Sequence, residues 1–144
     1  MRKVADILSR KGASAVAVTP DTKVIDALRI MADKNIGSIL VMDSGEYLGI
    51  VTERDYSRKV ALKNKSSVDT MVTDIMSSDL PSVSLSDTVE KCMQLMSSKN
   101  IRYLPVFDND RIAGIVSMSD VVKETIIAQQ ETISHLESYI HSGL

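Results

Sequence analysis

With 144 residues, 44% of them hydrophobic and 25% charged, the chain has the size and balance of one globular domain or two very small ones packed together. Its 17 basic and 19 acidic side chains leave a net charge of −2, and aromatic residues make up only 3%. That excludes the basic footprint and stacking platforms of a dedicated nucleic-acid binder. The single cysteine, Cys92, excludes an internal disulfide and a multi-cysteine zinc site. No apolar run is long enough for a membrane span, and Met1–Leu8 lacks the apolar stretch of a signal peptide, so a reducing, cytoplasmic setting is expected.

In chain order, the expected elements begin with a short strand over Ala15–Val18. Asp21 or Thr22 is placed to cap a helix whose apolar face is Val24, Ala27, Leu28 and Met31, at i, i+3, i+4 and i+7. Asn35 suits a left-handed residue at its end. A hairpin follows: Ser38–Met42, a turn at Asp43–Glu46 and Tyr47–Val51. A second helix starts after Thr52, and residues 61–71 read as a linker. The order then recurs. A helix with Val89, Cys92, Met93 and Met96 inward ends at Asn100, and a hairpin pairs Tyr103–Phe107 with Ile112–Val116.

The recurrence is an internal repeat. At an offset of 65, Val24 falls on Val89, Met31 on Met96, Lys34-Asn35-Ile36 on Lys99-Asn100-Ile101, Gly49-Ile50-Val51 on Gly114-Ile115-Val116, and Asp55 on Asp120. The heads match with a slightly larger shift, Val4–Leu8 on Val72–Met76. The expected fold is α+β, with two tandem β-α-β-β-α repeats (1–65 and 66–123) about a pseudo-two-fold axis and a C-terminal helical extension (124–144). In that extension Val122, Ile126, Gln129, Ile133, Leu136 and Ile140 step by 4, 3, 4, 3, 4. Such a seam either packs on its own domain or contacts a second copy.

Two stretches, Asn35–Val41 with Gly49–Asp55 and Asn100–Asp108 with Gly114–Asp120, resemble the motif of the CBS (cystathionine β-synthase) domain. In register, the two copies resemble a CBS pair, or Bateman module, over residues 1–123. The run Thr52–Lys59 and the tail Leu136–Ile140 are similar to the small stand-alone CBS-pair proteins of bacteria and plant organelles. The resemblance implies a non-enzymatic regulator that binds an adenosine ligand between its repeats: AMP, ADP, ATP or NAD(H), and less readily S-adenosylmethionine. It also implies a homodimeric disc of four repeats that signals to a protein target. Neither nucleic acid nor membrane is expected as a partner.

Thr52-x-x-Asp55 and Ser117-x-x-Asp120 admit two readings. Each is a capping box opening a helix, and each is also a nucleotide cradle. The helix N-terminus suits a phosphate, the hydroxyl can donate to it, and the aspartate can accept both hydroxyls of a ribose. The resemblance places ligand contacts at these four residues. Gly49 and Gly114 would let backbone approach the ligand closely. By family position the adenine would lie against Val18-Thr19-Pro20 with Gly37-Ser38-Ile39, and against Val83-Ser84 with Tyr103-Leu104-Pro105; the competing reading is strand ends in a core, which is preferred for Ile39 and Leu104. Arg54 and Arg102 have Ser119 and Gly37 as register mates. They are either solvated surface charges or two forks that meet one phosphate across the pair, leaving two unequal sites. The runner-up function is a dimerisation module with no ligand. No nucleophile with its base, and no phosphate loop, argues for catalysis.

Overall fold

The computed structural model of the chain describes residues 1–12 and 15–142; the last two positions of the expected extension fall outside them. The elements are α1 (Val4–Lys11), β1 (Ala17–Val18), α2 (Val24–Lys34), β2 (Ser38–Asp43), β3 (Glu46–Thr52) and α3 (Glu53–Lys59), then β4 (Val83–Ser84), α4 (Val89–Lys99), β5 (Tyr103–Asp108), β6 (Arg111–Ser117) and α5 (Met118–Ser142). The fold is α+β as expected, with a helix, α1, ahead of the first β-α-β-β-α unit. Two differences are local. The first strand begins at Ala17 rather than Ala15, and the N-cap of α2 is Lys23, with no side-chain cap, rather than Asp21 or Thr22. The Thr19 hydroxyl donates to the Asp21 carboxylate and lies 3.1 Å from the Thr22 hydroxyl, so both side chains are engaged in the turn before the helix. Asn35 and Asn100 end α2 and α4 in the left-handed region, at φ 54° and 53°.

Each half carries a three-stranded sheet with the same topology and register. β1 runs parallel to β2, with Val18 opposite Val41, and β4 runs parallel to β5, with Val83 opposite Val106. Both hairpins are antiparallel and shift register at equivalent places, Val41/Met42 and Val106/Phe107. The sheets meet through Leu40, Ile50 and Ile115, flanked by Tyr47, Leu80, Tyr103 and Ile112. There Tyr47 and Phe107 pack edge to face at 5.3 Å.

The two halves exchange their heads. Val4 and Ile7 of α1 are buried in the core of the second half, with Val83, Val89, Cys92, Met96, Leu104, Val106 and Val116. Val72 and Ile75 are buried in the core of the first, with Val24, Ala27, Met31, Ile39, Val41, Val51 and Val60. Backbone bonds tie each exchange. Val4 N donates to Asp87 O and Val89 N to Arg2 O, while Val24 N donates to Thr70 O and Val72 N to Thr22 O, all at 2.9–3.0 Å. The span 61–71 is therefore a tethered crossing: a single 3₁₀ turn at Ala61–Lys63 leads to a buried Thr70. The repeats 1–65 and 66–123 describe the sequence, but each packed core draws on both.

Side chains hold the heads as well. On α5, Glu124 is 1% exposed and receives Arg10 Nε at 3.1 Å and Arg2 Nη1 at 3.4 Å, both from the α1 segment. Its register mate on α3, Lys59, does the corresponding job with opposite charge, donating to Ile75 O at 2.9 Å.

Two expectations follow. Ile7→Ala removes a buried side chain and should cost about 2–5 kcal/mol. In hydrogen exchange its lost protection should concentrate in β4–β6 and α4; loss confined to residues 17–60 would contradict the exchange. Burial, with the nearby Asp87 adding to it, pushes the Cys92 thiol up to about 11. Folding therefore favours the protonated thiol, so this contribution to stability is whole below the ordinary thiol value and is lost as the pH climbs toward 11. At pH 8 the thiol should resist an aromatic disulfide reagent until the chain is unfolded.

Candidate ligand clefts between the repeats

Where β3 runs into α3 and β6 into α5, the chain turns from strand to helix through a capping box. Thr52 N and Ser117 N donate to Asp55 Oδ2 and Asp120 Oδ2 at 2.9 and 2.8 Å. Asp55 N and Asp120 N donate back to the Thr52 and Ser117 hydroxyls, both at 3.1 Å. The start of each helix is also fixed to the start of its own hairpin, by Glu53 N to Gly37 O and Met118 N to Arg102 O. The two helix N-termini thus face the line along which the halves join. The capping reading of both motifs is present in the geometry, and it leaves room for a ligand role.

Two clefts open there. The smaller, about 280 Å³, is lined by Thr52–Asp55 of the first repeat and by Ser77, Leu80, Ile101, Arg102 and Tyr103 of the second. The larger, about 440 Å³, is lined by Ser117, Ser119, Asp120 and Lys123 from the second repeat, by Val16 and Asn35–Ser38 from the first, and by Lys11. The larger lies within the usual size range of small-molecule sites and the smaller falls just short of it. Arg102 and Tyr103 line both. The expected residues Thr52, Arg54, Asp55, Arg102 and Tyr103 meet in the smaller cleft. Gly37, Ser38, Ser117 and Asp120 meet, with Arg102 and Tyr103, in the larger.

Thr19, Gly49, Val83, Pro105 and Gly114 line neither cleft, each for a physical reason, and nor do Val18, Pro20, Ile39, Ser84 and Leu104. Thr19 is exposed in the turn after β1, its hydroxyl bonded to Asp21 and facing Thr22. Val83 is buried in the second core, and Pro105 pairs with Ile115 inside the sheet. Gly49 and Gly114 do permit a close approach, but it is made by the exchanged heads. A Cβ on Gly49 would stand 2.8 Å from Ser77 O, and one on Gly114 would stand 3.3 Å from Leu8 Cδ2. Among the lining residues that the sequence reading missed are Lys11 at the end of α1, Val16 rather than Val18, and Ser77 and Leu80 after the second head. Leu80 is the register mate of Ala15, and that equivalence was the available signal.

The two aspartates differ in what they have left to offer. Asp55 is buried and saturated: beyond its box, Thr52 Oγ1 donates to Oδ2 at 3.1 Å, and Ser77 Oγ and Lys59 Nζ reach Oδ1 at 2.9 and 3.0 Å. Asp120 takes Ser117 N and Lys11 Nζ, both at 2.8 Å and both on Oδ2; its Oδ1 has no partner among the described residues. Lys11 is also held by Ile115 O at 2.8 Å. The arginines differ similarly. Arg54 Nη1 donates to Asn100 O, at the C-terminus of α4, at 2.7 Å. Arg102 is exposed and makes no ion pair or side-chain hydrogen bond among the described residues. Tyr103 forms the partition between the clefts, with its hydroxyl over Gly37. Burial, and then the Glu53 carboxylate, push its phenol above the ordinary value, so it remains a hydrogen-bond donor.

The model of one family, the CBS domain, matches residues 4–62 and again residues 72–126. A mitochondrial CBS domain-containing protein of Arabidopsis thaliana, CBSX3, is 36% identical over 97% of this chain and 72% of its own length. The CBS domain-containing protein YhcV of Bacillus subtilis is 30% identical over 84% of each chain. Among solved structures, the CBS domain NE2398 superposes with a TM-score of 0.82 at 42% identity, covering 87% of this chain and 98% of that one. The CBS-domain protein ATU1752 of Agrobacterium tumefaciens gives 0.80 at 35% identity, covering 85% and 98%.

The surroundings of the glycines rank two substitutions. In Gly49→Ala the new methyl meets a backbone carbonyl that cannot swing away, and a loss of about 3 kcal/mol is expected; in Gly37→Ala it meets the movable Tyr103 side chain, and about 1 kcal/mol is expected. Urea unfolding of both variants measures this, and the reverse order would contradict the packing described.

Proposed function

This chain belongs to the CBS-domain family, as a tandem pair of repeats, and from that premise we propose that it is a non-enzymatic sensor of adenosine nucleotides whose primary site is the Asp120 cleft. CBS-pair proteins are regulatory modules, and the family resemblance supplies the ligand class: AMP, ADP, ATP or NAD(H), with S-adenosylmethionine behind them. The observation that carries the choice of site is the carboxylate of Asp120, which keeps one oxygen without a partner in a cleft of about 440 Å³. That oxygen can accept a ribose hydroxyl. The Ser117 hydroxyl and the N-terminus of α5 suit a phosphate, with Arg102 and Lys123 supplying positive charge. Val16, Gly37 and Ser38 line the same cleft, and the base would lie against them.

In this reading the Asp55 cleft is secondary. A ligand there must displace Ser77 and Lys59 from Asp55, and it meets the less cationic lining: Arg54 and Arg102 stand beside Glu53 and Asp55, whereas in the larger cleft Lys11, Arg102 and Lys123 stand beside Asp120 alone. An output through another protein requires that the ligand bind one packing of the halves better than another. The second reading is a structural module with no ligand. What favours it is that both capping boxes are complete as they stand and have a structural use without any nucleotide.

Calorimetry and thermal unfolding with AMP, ADP, ATP, NAD, NADH and S-adenosylmethionine, on wild type, Asp120→Ala and Asp55→Ala, test the proposal. One ligand of the panel should stabilise the wild type, by about 2.7 kcal/mol at a hundredfold excess over its dissociation constant. Asp120→Ala should abolish this effect and Asp55→Ala should retain it. Loss in Asp55→Ala alone would move the site to the smaller cleft. A flat response across the panel would leave the structural module as the function.

A further inference from the structure

The heptad seam of α5 is not the face by which that helix packs on its own domain. The inward face carries Val121 and Glu124, both buried, with Thr125 and Ala128 beside them. Arg2 holds Glu124, and one heptad further on it also holds Glu131, so the α1 segment grips this same face. The seam lies elsewhere on the helix. Val122 is 49% exposed, Ile126 47%, Ile133 55%, Leu136 57% and Ile140 61%, and every residue from Glu131 to Ser142 is exposed. Five large apolar side chains and Gln129 thus form a stripe about 27 Å long that nothing in the chain covers.

We infer that this stripe is covered by α5 of a second copy of the chain, running antiparallel. The step of 4, 3, 4, 3, 4 gives Ile126, Ile133 and Ile140 one set of core positions and Val122, Gln129 and Leu136 the other. In the one antiparallel register that overlaps all six, Val122 lies over Ile140 of the second copy, Ile126 over Leu136 and Gln129 over Ile133. The residues flanking the seam fix the direction. Antiparallel pairing brings Lys123 of each copy opposite Glu137 of the other, giving two opposite-charge pairs by symmetry, and Gln130 opposite Gln130. On the other flank it sets Thr125 against Tyr139. Parallel pairing in register sets Thr125 against Gln130 and Thr132 against Glu137, with no charge pair at all.

Sedimentation equilibrium on the full chain, comparing wild type, Glu137→Lys, Lys123→Glu and the double reversal, tests the inference independently of any ligand. The wild type should be dimeric. Each single reversal turns two attractions into two repulsions and should weaken the dimer about tenfold. The double reversal should return it close to wild type, and high salt should narrow the differences. Both side chains are exposed, so the variants should fold; circular dichroism checks this. A monomeric wild type, a dimer indifferent to the single reversals, or a double reversal no better than the worse single one would each overturn the antiparallel pairing.

Discussion

The exchange of heads is the constraint on which the rest of this molecule depends. A unit of about 60 residues buries a modest fraction of its surface and is marginal by itself. Here neither repeat completes its own core: Val72 and Ile75 close the first, Val4 and Ile7 the second. The two repeats are thereby one cooperative structure. Gly49 and Gly114 have their meaning in this exchange, because each stands where the other repeat's head presses on the last strand of a hairpin. So does the buried Glu124. Leaving an ion buried without its partner is expensive, so the position on α5 works only with α1 in place; Lys59 on α3 ties the second head through the carbonyl of Ile75 while it is also held by Asp55.

The heads are exchanged symmetrically but built differently, and this makes the clefts unequal. The first head is helical through Lys11. The second makes one 3₁₀ turn at Val72–Asp74, after which Ser77 pairs edge to edge with Ile50. The extended path brings the Ser77 hydroxyl onto Asp55 and completes its shell. The helical path instead sends Lys11 across to Asp120 and to the Ile115 carbonyl, the register mate of the Ile50 carbonyl that Ser77 occupies. One aspartate is held by neutral and charged donors on both oxygens, the other on one oxygen alone.

This pattern explains what could be read from the sequence. The helices α2 to α5, the hairpins and the repeat were legible because they are encoded locally: apolar spacing at 3.6 for α2 and α4, and asparagines poised for the left-handed ends; α1 was not read as a helix. The capping boxes were legible for the same reason. Partner choice between like elements was not. Val4–Leu8 and Val72–Met76 are so similar that either could serve either sheet, and no local pattern says which it joins. The cleft residues contributed by the heads, Lys11 and Ser77, were lost with that decision. Gly49 and Gly114 were read for a ligand because a close approach is visible in a sequence while the approaching group is not.

α5 joins the two parts of the surface for which function is proposed. Its first residues form the wall of the larger cleft, and its last five turns carry the uncovered seam. The helix is continuous from Met118 to Ser142, without a proline or a glycine to absorb a bend. A small rotation at Ser117–Asp120 is therefore delivered along its whole length. Its grip on the body runs through Arg2 and Arg10 of the α1 segment, and the same short helix ends in Lys11 on Asp120. A ligand on the open oxygen of Asp120 would touch both ends of this arrangement at once, because it would meet the tip of α1 at Lys11 and the start of α5. The free energy available for such a change is limited to the ligand's differential affinity for the two packings. With one carboxylate oxygen already open, the larger cleft needs to break fewer bonds to bind than the smaller one, and more of its binding energy is left for moving the helix.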